Sequence, residues 1–403
     1  MKEIGGILLD GNDWIKELRQ KRTAYGVSQN KLAVAAGITR EYLNKIESGK
    51  KSATKEMQDS ISRALERLNP EAPLTMLFDY VRIRFPTQDV KHVVEDILHI
   101  KIGYMLHADY GFYSYAEHYV YGEIFVLTSP DEEKGTLLEL KGKGCRQFEN
   151  FLLAQHRSWY DFLMDALVDG GVMKRLDLAI NDRAGILDIP ELTEKCGREE
   201  CVSKFRSYKS YRSGELVQSQ EKDRYGMGNT LYIGSMKSEV YFCIYEKAYE
   251  QYVKYDIPIE DTETKNRFEI RLKNERAYHA VKDLLTYQDA EQTAFSIINQ
   301  YIRFVDKEVG KRNSECPTSE AWAYFLGEHR ERLKLTTEPE PYTLQRTLNW
   351  ISRQVAPTWK TIQEIDAKNS TSYLKDILEH AKLTERHEKI IRQQTTPVEK
   401  IIT

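Results

Sequence analysis

MKRLDLAIND (173–182) alternates apolar and polar side chains, which is the period of a half-buried β-strand. Leu176, Leu178 and Ile180 fall on one face of this strand, and Arg175 and Asp177 fall on the other. The same alternation recurs in six further stretches: FDYVRIRF (78–85), YGEIFVLTS (121–129), TLLELKG (136–142), NTLYIGS (229–235), EVYFCIYEK (239–247) and NRFEIRLKNE (266–275). Together these stretches predict a largely antiparallel sheet with one apolar and one polar face.

Helical patterns interrupt and follow the strands. Residues 87–101 and 146–169 are predicted to be helices that cover the apolar face of the sheet. A sheet domain at 74–287 is therefore followed by a helical C-terminal extension at 288–403, whose last residues, 395–403, are expected to form a loose end. The fold class is α+β.

The N-terminal stretch SQNKLAVAAGITREYLNKIESG (28–49) has the pattern of two helices joined by a glycine turn. Ser28 and Thr39 are predicted to cap these helices, and Gly37 to form the turn. With a preceding helix at 14–24, they are expected to bury a small core made of Leu18, Leu32, Ala33, Ile38, Leu43 and Ile46. Because proline cannot continue a helix, Pro70 ends an all-α domain at residues 1–69.

The outer face of the third helix is predicted to contact base edges in the major groove through Thr39, Arg40, Glu41, Asn44 and Lys45. Gln29, at the start of the second helix, is predicted to meet a phosphate. Residues 16–69 carry twelve Lys and Arg against six Asp and Glu, an excess that suits a polyanion. The stretch resembles the repressor-type helix-turn-helix domain, and a small helical docking module is the alternative.

Net charge, composition and cysteine count say less about function than these motifs do. A net charge of -3 with 41% hydrophobic residues is ordinary globular composition and excludes neither an enzyme nor a binding module. The opening residues carry one short apolar run with acidic flanks, so neither a signal peptide nor membrane insertion is expected, and we place the protein in the cytoplasm. Five cysteines are an odd number, which favours reduced thiols over a disulfide framework.

The predicted polar face gathers side chains that could carry chemistry. If the strands at 136–142, 173–182, 239–247 and 266–275 are neighbours, one face holds Glu139, Arg175, Asp177, Tyr245, Lys247, Glu269 and Arg271. An antiparallel sheet often has a polar face that is merely solvated. Periodicity alone does not separate that interpretation from a catalytic site.

The same strands carry a resemblance to a known family. The series LELK (138–141), RLDLAIND (175–182), LYIGS (231–235), IYEK (244–247) and RFEIRLK (267–273) resembles the Rep-trans rolling-circle plasmid initiators. Joined to a helix-turn-helix, it resembles more closely the MobT relaxases of Gram-positive integrative and conjugative elements. These enzymes cut one DNA strand with a tyrosine.

The resemblance implies a role for each polar residue. Tyr245 is the nucleophile and Lys247 is its motif partner. A divalent metal, Mg²⁺ or Mn²⁺, is implied at Glu139, Asp177 and Glu269. Where plasmid initiators have a further acid, this chain has Arg271, which we assign to the catalytic site, and Arg175 is expected to contact DNA.

The chemistry agrees with these roles. A phenol with a pKa of about 10 is a poor nucleophile at neutral pH and needs a neighbouring cation or base. Tyr232, which also lies on a predicted strand, stays open as an alternative nucleophile. A two-histidine metal site, as in histidine-dependent relaxases, does not fit, because the nine histidines include no H-x-H motif.

The function implied by the resemblance is a site- and strand-specific nick at an origin of transfer, through a 5′-phosphotyrosine intermediate and a free 3′-hydroxyl, followed by rejoining. Expected partners are double- and single-stranded DNA at that origin, a conjugative coupling protein and accessory proteins encoded by the element. Two alternatives stay open. One is an initiator of rolling-circle plasmid replication with the same chemistry, and the other is a regulator that binds DNA without cutting it.

Overall fold

The computed structural model describes residues 11–25, 27, 29, 32–33, 36, 38–67, 73–214, 228–255, 257–259, 262–327, 337–342 and 344–403. Two separate hydrophobic cores organise these residues, one among the N-terminal helices and one around a large sheet. The change from helical to alternating patterns near Pro70 thus corresponds to a change from one core to the other.

The N-terminal core is built by helices α1 (Gly11–Ala24), α2 (Arg40–Glu47) and α3 (Lys55–Arg67). Five of the six predicted core residues are buried, and Ile38 packs against them half-buried. Thr39 caps α2 as predicted, since its hydroxyl accepts a hydrogen bond from the Tyr42 N–H at 3.2 Å. Ser28, Gly37 and most of the predicted second helix lie outside the described residues.

In the part of the chain that the structure describes, ten strands form the large sheet in the order β2-β3-β4-β5-β1-β6-β11-β10-β9-β8. Neighbouring strands run antiparallel throughout. Their bounds are β1 (Leu74–Phe85), β2 (Leu106–Ala108), β3 (Glu117–Tyr121), β4 (Ile124–Thr128), β5 (Thr136–Lys141), β6 (Val172–Asp182), β8 (Tyr208–Arg212), β9 (Asn229–Ile233), β10 (Val240–Glu246) and β11 (Asn266–Lys273). A second, two-stranded sheet pairs β7 (Cys201–Ser203) with β12 (Ile302–Phe304).

The alternation predicted for the strands is confirmed. Leu176, Leu178 and Ile180 of β6 are fully buried on the apolar face, as are Phe242 and Ile244 of β10. Strands β1 and β6 lie at the centre of the sheet, and four strands extend on each side of this pair. Because the centre has neighbours on both sides and helices on one face, polar side chains near it are also largely shielded from water.

Helices cover the apolar face of this sheet. They are α4 (Val90–His92), α5 (Lys143–Ala154), α6 (Trp159–Val168), α7 (Ile189–Gly197) and α9 (Asn274–Tyr287), while α8 (Lys247–Tyr255) follows β10 directly. After α9 come α10 (Ala290–Tyr301), α11 (Glu320–Leu326), α12 (Gln345–Trp350), α13 (Ala356–Asn369), α14 (Tyr373–His380), α15 (Glu385–Thr395) and α16 (Val398–Ile401).

Two of the predicted helices are interrupted in the structure. The helix predicted at 87–101 is one short turn, α4, continued by a π-helical turn at Val93–Ile97. The helix predicted at 146–169 is two helices, because the backbone of His156 takes a φ of 54° and Ser158 caps α6 with a reciprocal capping box to Asp161. The apolar pattern continues across the residues between α5 and α6, so it did not predict that the helix ends there.

Parts of the C-terminal region pack against the sheet domain. Trp322 and Phe325 of α11 are buried in the same core as Phe268 of β11. The predicted loose end at 395–403 is wrong, since Ile401 is buried and its carbonyl accepts a hydrogen bond from the Lys101 N–H at 2.9 Å. Among the described residues, no helix has the length and apolarity of a membrane span.

Candidate active site

The antiparallel register brings the predicted site residues onto one polar face. Arg271 of β11 lies opposite Asp177 of β6, and Glu269, two residues earlier on β11, lies opposite Cys243 of β10. On the other side of the centre, Glu139 of β5 lies opposite Arg82 of β1. The predicted sharing of one face by strands β5, β6, β10 and β11 is therefore confirmed, with β1 inserted between β5 and β6.

Tyr245 lies near the end of β10, half-buried, with its hydroxyl directed at a carboxylate. The hydroxyl donates a hydrogen bond to Oε1 of Glu269 at 2.9 Å. Burial and the negative charge of Glu269 both raise the pKa of Tyr245 well above its ordinary value of 10. The phenol is therefore protonated near neutral pH and carries its proton next to a possible acceptor.

Lys247 lies near Tyr245 as predicted, but it belongs to a helix and not to the strand. The strand ends at Glu246, and Lys247 begins α8 instead of continuing the polar face of β10. Its Nζ lies 5.6 Å from the centroid of the Tyr245 ring and donates a hydrogen bond to Glu250. Burial, then repulsion by Arg267, lower the pKa of Lys247.

Each of the three carboxylates that were predicted to bind metal is paired with an arginine, and the pairs of Asp177 and Glu269 lie on the neighbouring strands β6 and β11. Arg175 donates to both oxygens of Asp177, at 2.9 and 2.6 Å, and Arg271 donates twice to Oε2 of Glu269, at 2.8 and 2.6 Å. Burial outweighs the pairing with Arg175 and raises the pKa of Asp177 to about 6. Such charge-assisted contacts fix the arginines and carboxylates relative to one another.

Glu139 is the centre of another polar group. Its side chain is fully buried, and it accepts hydrogen bonds from the Tyr80 hydroxyl and from Nε of Arg82, the latter at 2.9 Å. Nζ of Lys141 lies 2.8 Å from the other carboxylate oxygen, as an ion pair without hydrogen-bond geometry. Burial would raise the pKa of Glu139, but these three partners outweigh it and lower the pKa.

The three predicted metal ligands do not form one ligand group. Within the described ranges, no three His, Cys, Asp or Glu side chains are grouped so as to hold a metal ion. Strand β1 separates Glu139 from Asp177, and Asp177 and Glu269 are each already bound by an arginine. The carboxylates in this arrangement do not fit a three-ligand site, and metal binding stays a prediction.

Two further residues support the site: Arg267, which the alternating pattern places on the polar face of β11, and Asp79, which that pattern did not assign. Nε of Arg267 donates to Asn181 at 2.8 Å, and its Nη1 donates to Asp79 at 3.0 Å. Asp79 lies at a bulge in β1, where the register with β6 shifts between Phe78 and Tyr80. A bulge turns a side chain out of the alternation, so periodicity could not place Asp79 at this position.

Tyr80 and Arg82 were also missed, although the sequence does contain a signal for them. In FDYVRIRF (78–85), Val81, Ile83 and Phe85 are apolar and alternate with Tyr80, Arg82 and Arg84. The same face analysis that selected Tyr245 would have placed Tyr80 and Arg82 with Glu139. The Arg175 guanidinium also covers the Tyr80 ring, 4.0 Å from its centroid.

A cleft of about 870 Å³ opens over the β10 and β11 end of this face. Tyr245, Lys247, Arg267, Glu269 and Arg271 contribute to its lining. Tyr232, the alternative nucleophile, also lines it, but burial first and the neighbouring Cys243 second raise the pKa of Tyr232 to about 12. The cleft brings both tyrosines into reach of a ligand, and Tyr245 alone of the two donates its hydroxyl to Glu269.

The predicted DNA-reading surface of the helix-turn-helix is exposed. Thr39, Arg40, Glu41, Asn44 and Lys45 all face solvent on one side of α2. Gln29 is engaged inside the domain, because its amide donates to Glu47 at 2.7 Å, and Arg22 holds the same carboxylate with bonds of 2.6 and 3.0 Å. Gln29 is thus bound to the last residue of α2, and its predicted phosphate contact stays untested.

Comparisons with known families match the described architecture along most of the chain. The model of a family described as "Replication initiation factor" matches residues 171–378. A model described as "Rolling Circle replication initiation protein N-terminal domain" matches residues 75–165, and a "Helix-turn-helix" model matches residues 18–71. The two initiator models together span the ten-stranded sheet.

Individual relatives agree with the family models. The chain is 41% identical over 322 residues to a protein named as a candidate DNA relaxase, NicK, of Bacillus subtilis (strain 168), and the match covers 80% of this chain and 90% of that protein. The structure of a rolling circle replication initiator protein from Geobacillus stearothermophilus superposes with a TM-score of 0.55 and 24% identity. That match covers 66% of this chain and 99% of the other, which shows the shared fold. The chain belongs to the replication initiation factor family, as a relative of relaxases and rolling-circle initiators.

Proposed function

We propose that this protein is a relaxase that nicks one DNA strand at an origin of transfer through Tyr245. The observation that carries the proposal is the Tyr245 hydroxyl, which lies in the cleft and donates a hydrogen bond to Glu269. A hydroxyl held against a carboxylate and surrounded by cations is the arrangement that nucleophilic attack on a phosphodiester requires. The helix-turn-helix supplies binding to duplex DNA beside the cleavage site.

The proposed reaction is a transesterification. The Tyr245 oxygen attacks phosphorus while its proton passes to Glu269, 2.9 Å away. The bond between phosphorus and the 3′ oxygen breaks, the phosphate stays on Tyr245 as a 5′-phosphotyrosine, and the departing oxygen takes up a proton to become a 3′-hydroxyl. Because the phosphoester bond is conserved, attack by a 3′-hydroxyl in the reverse direction rejoins the strand.

Cations around Tyr245 favour this step. Arg271 lines the cleft while it holds Glu269, so a phosphate beside Tyr245 meets a guanidinium that is already fixed in place. Arg267 donates a hydrogen bond to Asp79, and Lys247 lies over the Tyr245 ring. Fixed cations stabilise the charge that develops on the phosphate oxygens more than mobile ones do, because they do not have to reorganise.

Metal dependence is a separate proposal. A bound Mg²⁺ or Mn²⁺ would supply charge neutralisation at the attacked phosphate. Asp177 and Glu269 lie on the adjacent strands β6 and β11, whereas Glu139 lies two strands away from Asp177, so these carboxylates do not make one ligand set. Nicking in the presence of EDTA, with and without added Mg²⁺ or Mn²⁺, tests the dependence directly.

Transfer and replication use the same chemistry at the cleft. Membership of the MobT relaxases would favour transfer, with a conjugative coupling protein and element-encoded accessory proteins as partners. The alternative is the initiation of rolling-circle replication, which is favoured by the match to the rolling-circle initiator models. Mobilisation of a plasmid that carries the origin, compared with its replication in the absence of conjugation, distinguishes the two roles.

The central experiment is a nicking assay on a labelled single-stranded oligonucleotide that carries the origin. We expect a product with a free 3′-hydroxyl and a covalent protein-DNA adduct. Proteolysis and mass spectrometry of the adduct should find the nucleotide on the peptide that contains Tyr245. Recovery of the nucleotide on the Tyr232 peptide would move the nucleophile to β9.

A regulator that only binds DNA is the remaining alternative. Such a protein would bind duplex origin DNA and leave both a supercoiled plasmid and the single-stranded oligonucleotide intact. The ordered contacts of Tyr245, Glu269 and Arg271 favour the enzyme, because a binding-only protein has no need of a hydroxyl held against a carboxylate in a cleft.

A further inference from the structure

We infer that the polar face is also a track for single-stranded DNA, which runs from the Tyr245 cleft across the sheet to a base-stacking platform on the loop between β2 and β3. This loop, residues 109–116, is called the aromatic loop below. The inference rests on the proposed function, because it names how the strand to be cut is held. The aromatic loop lies outside the residues that line the cleft.

The aromatic loop folds back over the polar face. Its Phe112 ring packs on Phe125, 5.6 Å between centroids, and Phe125 lies opposite Glu139 in the register of β4 and β5. Tyr113 lies over the Arg82 guanidinium at 4.2 Å from the ring centroid. The loop therefore sits on the same face as the site.

The conformation of the loop is constrained. Tyr113 and Ser114 have φ values of 57° and 64°, which non-glycine residues rarely adopt and which cluster at functional sites. A Cβ at Gly111 would lie 2.3 Å from the Tyr115 carbonyl oxygen, so the turn needs glycine. Nζ of Lys134 donates to the Ser114 carbonyl at 2.8 Å and fixes the loop from outside.

The rings that this loop holds are available to a ligand. Tyr110 is 64% exposed and Tyr113 is 48% exposed, which is unusual for aromatic side chains in an ordered loop. A soluble protein exposes such rings together where a partner covers them. Here the rings are accompanied by cations, since Lys141 lies 5.6 Å from the Tyr113 centroid.

Cations connect this platform to the nucleophile. They are Lys141 on β5, Arg82 on β1, Arg175 on β6, and Arg271 and Lys273 on β11. From β5 to β10 there are four strand intervals, about 19 Å at about 4.8 Å each. A phosphate backbone that crosses the strands from β5 to β11 would meet a cation on each of these strands before it reaches Tyr245 on β10.

Exposed rings at one end of a cationic track fit single-stranded DNA better than a duplex. Unpaired bases stack on tyrosine without regard to sequence, whereas the bases of a duplex are already stacked on one another. The cations bind the backbone, and the rings bind bases a fixed distance from Tyr245. The platform would therefore keep the nicked strand extended over the sheet.

The test measures binding without cleavage. Full-length protein with Tyr245→Phe is titrated against fluorescein-labelled oligo(dT) and against an abasic oligonucleotide of the same length, by fluorescence anisotropy. Adding Tyr110→Ala and Tyr113→Ala should weaken oligo(dT) binding roughly 5- to 100-fold, the range for loss of base stacking. Binding of the abasic strand, which offers only phosphates, should change less than twofold.

A matched control is available on the other side of the sheet. Tyr278 of α9 is 45% exposed, so Tyr278→Ala removes a comparable ring without touching the polar face. It should leave both affinities unchanged. Thermal melts of each variant verify that the fold is retained.

The inference is overturned if the double alanine variant binds oligo(dT) as tightly as its Tyr245→Phe parent. It is also overturned if the oligo(dT) and abasic affinities fall together, because that pattern indicates weaker binding of the phosphate backbone and not lost base stacking. Neither result depends on nicking. Conversely, a wild-type protein that stacks oligo(dT) but forms no adduct would contradict the proposed function and leave the track intact.

Discussion

The polar face carries two groups with the same hydrogen-bond pattern and different surroundings. In the first, the Tyr245 hydroxyl donates to Glu269, which Arg271 also holds. In the second, the Tyr80 hydroxyl donates to Glu139, which Arg82 also holds. Each group thus combines a phenol, a carboxylate and a guanidinium on neighbouring strands, the first on β10 and β11 and the second on β1 and β5.

Access distinguishes the two groups. Tyr245, Glu269 and Arg271 all line the cleft, and Tyr245 is half-buried. Tyr80 is 7% exposed, the Arg175 guanidinium covers its ring, and Tyr113 covers Arg82. A phosphate can approach the first tyrosine from the cleft, whereas the second tyrosine is enclosed by its own neighbours.

The difference shows that a hydrogen-bond pattern alone does not identify a nucleophile. Burial raises the pKa of both phenols, so both carry their proton at neutral pH. A carboxylate stands ready to accept that proton in each case. What remains to decide function is whether a substrate reaches the oxygen, and we expect the second group to contribute to stability and not to cleavage.

The largest effect should come from Tyr245→Phe. The change removes the attacking oxygen and keeps the ring, so adduct formation and nicking should fall at least about 10³-fold while the protein stays folded. The measurement is gel detection of nicked oligonucleotide and of adduct. Tyr232→Phe, which alters the other tyrosine of the cleft, should retain nearly full activity, and a reversal of these two results would transfer the role to Tyr232.

Glu269→Gln should have the next largest effect. An amide accepts the Tyr245 hydrogen bond but does not take up its proton, so the single-turnover nicking rate should fall about a hundredfold or more, the usual contribution of a general base. Affinity for the oligonucleotide should be kept or should rise, because a negative charge leaves the cleft. A variant that nicks at the wild-type rate would show that another group accepts the proton.

Glu139→Gln should mainly affect stability. The carboxylate is fully buried and paired, so its loss should lower the unfolding free energy by about 2–4 kcal/mol at pH 7, measured by urea denaturation. Glu364→Gln, which breaks a surface ion pair with Lys360, should change little by comparison.

The pH dependence of that difference provides a second readout. The pKa of Glu139 is lowered in the folded protein, so its contribution is present above the unfolded value of about 4.3 and is lost as pH falls through the folded value. The gap between wild type and Glu139→Gln should therefore narrow below pH 4. A constant gap from pH 7 to pH 3.5 would mean that the ionised carboxylate is not what stabilises the fold.

Much of this arrangement follows from alternation along the strands. Apolar residues such as Leu176 and Ile244 predicted which face is buried, and the opposite positions then contained Asp177 and Tyr245. The cap of α2 was predictable because the Thr39 hydroxyl acts on a backbone N–H only three residues away. Such features can be read from the sequence because strand geometry places every second side chain on one face and because a cap acts on a backbone group a few residues away.

Other features depend on contacts that a sequence does not display. Asp79 reaches Arg267 through a bulge, which breaks the period, and Lys247 leaves its strand because a helix begins there. Strands β2, β7 and β12 have three residues each, too few for a period to appear. The docking of Ile401 joins residues that lie 300 positions apart in the sequence, Lys101 and Ile401, and no local pattern could indicate such a contact.

The smallest effect, and the sharpest test of the comparison, is Tyr80→Phe. Removing this hydroxyl takes one of several donors from Glu139, while Arg82 and Lys141 remain, so the unfolding free energy should fall by only about 1 kcal/mol. The ring stays in place under Arg175, and nicking should stay within twofold of wild type. Urea denaturation and the single-turnover nicking assay measure the two quantities on the same protein. A stable Tyr80→Phe variant with a large loss of adduct would show that the two phenol groups share the reaction, and that access through the cleft does not separate them.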